Sequence, residues 1–144
     1  MITTEQYFGG RRESHPTECS PWIDDNAHRT VGILNQMIAR AESFGVVIPL
    51  NPCGDFAGSQ LASGWRPPTI NSCTPGAALN SKHMTAEAGD LMDPHGHFKA
   101  WLATPEGQYS LVDIGLWMED PGHTPTWVHL QVKPPKSGKR TFIP

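Results

Sequence analysis

Three residues of this 144-residue chain are candidates for a zinc site. His83 and Asp90 lie in the stretch SKHMTAEAGD, from Ser81 to Asp90, and His129 lies in WVHLQ near the C-terminus. Imidazole nitrogen and carboxylate oxygen both suit the ion, and a reactive zinc centre takes three protein ligands and keeps one position for water. Zinc brings the pKa of that water to about 7, so hydroxide is available at neutral pH. His83 and Asp90 stand seven residues apart, which on one straight strand would put them on opposite faces. A bend must intervene, and the small residues from Ala86 to Gly89 allow one. The spacing alone carries little, because any chain with seven histidines offers such pairs.

The other candidates are weaker. His95 and His97 flank Gly96 near Asp93, but Pro94 and Gly96 predict a turn, so the pair reads as surface loop. His28 reads as the exposed side of a helix, and His15 has no assignable role. Cys19, Cys53 and Cys73 are odd in number and form no C-x-x-C, so no disulfide framework is expected and the usage suits a reducing compartment. Formal charge is −3, and the one basic stretch, KPPKSGKR, is short and reads as a solvated end; nucleic acid is not an expected partner. Mean hydropathy is −0.39 and no apolar run nears the ~20 residues that span a bilayer, so no membrane insertion is expected. The first twenty residues are polar and show no signal peptide, so synthesis in the cytoplasm is expected, with delivery to any outside target supplied by something else.

The elements that must hold these side chains fit a single domain over 1–144, with an N-terminal segment (1–20) and an extended tail (133–144). In the first segment, Tyr7 and Phe8 mark a short ordered piece. Ser20 as cap, Pro21 at the first helical position and Asp24 and Asp25 beside the helix dipole start a helix over about 21–44. Ala27, Val31, Leu34, Ile38 and Ala41 form its apolar stripe, and Gly45 ends it. Residues 46–50 read as a strand or extended connector. A strand over 60–65 delivers Arg66, and Pro67-Pro68 stops it before a helical turn at 69–73. A strand over 87–92 follows, then helices over 97–103 and from Thr104-Pro105 to about Ile114, closed by Gly115. Residues 116–119 and 127–132 form a hairpin around DPGHTPT. The expected fold class is α+β.

SGWRPPTINSCTPGAALNSKHMTAEAGD resembles the signature of the M15 peptidases, the zinc D-Ala-D-Ala carboxypeptidase family. Ser63, Gly64, Trp65, Arg66, Asn71, Ser81, His83, Ala88 and Asp90 fit its pattern, and Trp127-Val128-His129 fits its closing aromatic-Val-His. The resemblance covers roughly residues 22–132. It implies the Hedgehog/DD-peptidase fold, a small antiparallel sheet with helices packed on it. It further implies that His83, Asp90 and His129 hold Zn2+ and that Arg66 pairs with a substrate carboxylate or peptide oxygen, as a guanidinium fork can. Ser81 would orient the site, and Trp65 and Trp127 would line the substrate groove. The implied substrate is the peptidoglycan stem peptide, cut by water at a D-amino-acid bond.

Two positions depart from the pattern. Ala86 stands where the family has glycine. Thr126 stands three before His129, where many members carry the acidic general base, and a hydroxyl is no base near pH 7. Other members place a His or Glu five or six residues before that histidine, so the resemblance implies His123, six before His129, as the substitute, with Glu119 and Asp120 behind it. The layout is similar to small phage and prophage members, which implies action at the bacterial cell wall as an endolysin or with virion partners. The rival expectation is a virion or host-interaction protein that keeps fold and zinc without turnover. A zinc-free peptide- or carbohydrate-binding module is the third.

Overall fold

A computed structural model describes residues 1–143. It is α+β, with six α-helices and one five-stranded mixed sheet among the described residues. The N-terminal segment folds as α1 (Thr4–Phe8) and α2 (Arg11–Ser14). The long helix α3 (Pro21–Ser43) runs next. Strand β1 (Leu61–Ser63), helix α4 (Pro68–Cys73) and strand β2 (Ala88–Met92) follow. Helices α5 (His97–Leu102) and α6 (Pro105–Ile114) precede β3 (Trp117–Glu119). A 3-10 turn (Pro121–His123) leads to β4 (Trp127–Gln131), and β5 (Thr141–Phe142) closes the chain. Sheet order is β1-β2-β4-β3-β5, antiparallel except for the β3–β5 pair.

Helix α3 forms as its sequence predicts. Ser20 Oγ accepts from the Ile23 N–H at 3.4 Å, a cap worth about 1 kcal/mol. Ala27, Val31, Leu34, Ile38 and Ala41 are all buried. Their stripe faces the side of the sheet that carries Gly89, Leu91, Val128 and Leu130, since strand residues alternate between faces. Residues such as Leu34 and Ile38 contribute on the order of 1.5–3 kcal/mol each when fully buried. Gly89 sits directly over the helix, where a Cβ would press on the Leu34 side chain.

Several expectations need correction. The ordered piece around Tyr7 and Phe8 is a helix followed by a second short one, and it belongs to the core: both aromatics are buried, and the Tyr7 hydroxyl donates to the Ala88 carbonyl at 2.6 Å. Residues 46–50 are extended without sheet pairing. The sheet is not purely antiparallel, because the tail returns as β5 beside β3; residue 144 lies outside the described residues. No helix is long and apolar enough to cross a membrane.

Gly64 shows why a glycine follows β1. The Trp65 N–H donates to the Tyr7 carbonyl at 3.0 Å, and a Cβ on Gly64 would overlap that same carbonyl. A main-chain atom held by a hydrogen bond cannot step aside. Gly64→Ala is expected to lower unfolding free energy by about 3 kcal/mol, read as a fall in the denaturant midpoint.

Candidate metal centre

Asp90 and His129 are cross-strand partners in the β2–β4 pairing, on the sheet face away from α3. His83 arrives from the turn that precedes β2. That turn needs the bend read from the sequence, and Ala86 makes it with φ +54°, a left-handed conformation costing an L-residue about 1 kcal/mol. Two side chains of α3 hold it there. Thr30 Oγ1 donates to the Ala86 carbonyl at 2.8 Å, and Asn26 Nδ2 donates to the Thr85 carbonyl at 2.9 Å. So the bend is made with an alanine at its left-handed position.

The three side chains converge. His83 Nε2 lies 3.3 Å from Asp90 Oδ1 and 3.2 Å from His129 Nδ1, and His129 Nδ1 lies 2.8 Å from Asp90 Oδ1. All three residues are buried, at 1%, 9% and 8% exposure for His83, Asp90 and His129. His83 Nδ1 stands 2.7 Å from the Gly64 carbonyl, which can only accept. The proton therefore sits on Nδ1, and the Nε2 lone pair points at the other two ligand atoms. A tetrahedral ion with bonds of about 2.05 Å has ligand-to-ligand edges near ~3.3 Å. The observed triangle is that size, slightly contracted, so the triad can hold a metal ion.

The electrostatics agree. Burial alone would raise the Asp90 carboxyl, but the His83 and His129 rings, by charge and hydrogen bond, hold it well below the carboxylate range. Burial disfavours a charged His129, yet the Asp90 hydrogen bond and the Asp90 and Glu119 charges outweigh that and raise it. Asp90 is thus the charged ligand, and a metal ion at His129 Nδ1 would take the place of the proton that this pairing favours.

Arg66 is half-buried next to this triangle. Its backbone N–H donates to the His83 carbonyl at 3.2 Å and its Nη2 reaches Ser81 Oγ at 3.3 Å. Arg66 Nε is buried with no hydrogen-bond partner. Ser81 Oγ also accepts from the His83 N–H at 3.3 Å, so its own proton is free to be donated. Burial lowers the Arg66 pKa, against the pull of Asp90; the group stays a cation, since guanidinium does not deprotonate in proteins.

Trp65 does not line a groove. It is fully buried against Phe8, with its indole N–H donating to the Met84 carbonyl at 3.2 Å. The sequence places Trp65 at the end of a strand over 60–65, but β1 ends at Ser63 and the Trp65 side chain turns into the core. Trp127 is half-buried and lies on the His129 face by alternation. His95 and His97 are exposed. Asp93 accepts from the Phe98 and Lys99 N–H groups, both at 3.0 Å, so it serves the start of α5 rather than a metal.

His123 sits exposed on the 3-10 turn, and its ring makes no hydrogen bond among the described residues. Thr126 is exposed, with its carbonyl taken by the Asp93 N–H at 2.9 Å. Glu119 is placed differently. Trp117 pairs with Gln131 and Met118 with Leu130, so the next step of the register sets Glu119 beside His129 on the same face. Burial pushes its carboxyl above the ordinary value; the His129, His123 and His83 rings oppose this and the Asp90 charge adds to it. The signal that finds it is hairpin register, counted back from His129 through the loop.

No family model, curated protein or solved structure matches the chain.

Proposed function

We propose that the protein is a zinc-dependent peptidase of the M15 type, with the Hedgehog/DD-peptidase fold, acting on peptidoglycan stem peptides or their cross-links. The observation that carries this reading is the buried triangle of His83, Asp90 and His129, with a guanidinium on one flank and a half-buried carboxylate on the other. Zinc is the preferred ion because two imidazoles and one carboxylate, with room for water, are its catalytic ligand set; it supplies an activated water and polarises the peptide carbonyl.

The chain's own residues take the remaining tasks. Glu119, rather than His123, accepts the proton from the attacking water, since it shares the row of His129 and its raised pKa brings it toward the working range of a base. The half-buried Arg66 guanidinium, oriented by Ser81, grips the substrate's carboxylate or peptide oxygen. Trp127 flanks the cleft.

The deciding experiment is incubation with purified muropeptides, with and without a chelator. Release of D-Ala or opening of a cross-link, lost on chelation and restored by zinc, supports the peptidase. Folded, zinc-loaded and inert protein supports the rival, a virion or host-interaction protein with no turnover; Thr126 at the family's base position is the observation that favours it. Arg66→Ala is expected to reduce kcat/KM by about 10–150-fold, the worth of a charge-assisted hydrogen bond of about 1.5–3 kcal/mol. Its melting temperature should stay close to wild type, because the bond to Ser81 is long. An equal loss of stability would make Arg66 structural.

A further inference from the structure

Residues 133–144 are where the sequence offers least: Pro, Lys and no motif. In the structure Phe142 among them meets the candidate metal centre. Phe142 pairs with Glu119 in the β3–β5 ladder, and its ring meets the His129 ring edge-on, with centroids 6.3 Å apart and planes at 84°. That is within the range of favourable edge-to-face pairs. The strand is tied down rather than draped. The Met118 N–H donates to the Arg140 carbonyl at 2.9 Å and the Asp120 N–H to the Phe142 carbonyl at 2.7 Å. Arg140 Nη1 donates to the Leu116 carbonyl at 2.8 Å, and its guanidinium lies 4.3 Å from the centre of the Trp117 ring.

We propose that Phe142 is a positioning residue for the metal centre, fixing the rotation of the His129 ring so that Nδ1 stays aimed at Asp90 and His83. The inference rests on the metal reading above. Before it binds, an imidazole can swing about its Cβ–Cγ bond and carry Nδ1 away from the site, and a ring packed against its face or edge removes that freedom. Groups that orient ligands in this way affect metal affinity without touching the ion.

The test compares the full-length wild type with Phe142→Ala and Phe142→Leu, each titrated with Co2+, whose visible absorption reports ligand geometry. Phe142 is half-exposed, so the variants should unfold cooperatively near the wild-type temperature. Phe142→Ala is expected to bind one Co2+ about tenfold more weakly with a displaced absorption band, and Phe142→Leu to recover part of both. A Phe142→Ala protein equal to wild type in affinity and spectrum overturns this inference and leaves the metal centre standing. A wild type that takes up no Co2+ overturns both.

Discussion

His83→Ala is expected to abolish stoichiometric zinc binding and with it the stabilisation that zinc provides. The wild type, at free zinc a thousand times its dissociation constant, should gain about 4.1 kcal/mol. The variant should show no such rise in melting temperature on adding zinc. Two features make the effect large. His83 is the ligand whose tautomer is locked, by the Gly64 carbonyl, with its lone pair facing inward. It is also the ligand contributed by the turn, so without it Asp90 and His129 are left as a two-point site on adjacent strands. Metal analysis after dialysis, alongside thermal melts with and without zinc, gives the answer. A variant that keeps one ion per chain sinks the ligand assignment.

Glu119→Gln should retain the ion and lose turnover. The amide keeps the size of the carboxylate, so packing against the sheet is preserved, while its ability to accept a proton is gone. A rate loss of roughly 10²–10⁴ is expected. His123→Ala, made in parallel, should run close to the wild-type rate. The opposite pattern, with the histidine variant slow and Glu119→Gln unchanged, returns the role of base to His123 and defeats the register argument.

The same pair of residues shows where sequence reasoning stops. Helix α3 was legible because cap, proline, stripe and terminal glycine all agree, and each is a local signal. His83, Asp90 and His129, which the fold brings together, were singled out through a resemblance and not through spacing, which alone lacks a pattern. The choice between His123 and Glu119 depends on how the hairpin is paired, and separation along the chain favours the nearer residue, which is the exposed one. Trp65 failed for a related reason: adjacency to Arg66 in the chain does not say which way either side chain turns once β1 has ended. Tyr7 was underread because its contact, with Ala88, spans more than half of the chain, and the tail because its pairing with β3 leaves no local signal.

Across the middle of the sheet, Ser63, Asp90, His129, Glu119 and Phe142 stand side by side, one from each strand. Parity therefore governs which changes in chain length this protein can absorb. Adding or deleting a residue in the DPGHTPT loop leaves every pairing in place. The same indel inside WVHLQ turns the imidazole over into the hydrophobic interior and brings Val128 or Leu130 out to meet Asp90. Natural or engineered variants should thus differ freely in the loop and never by an odd count within the strand.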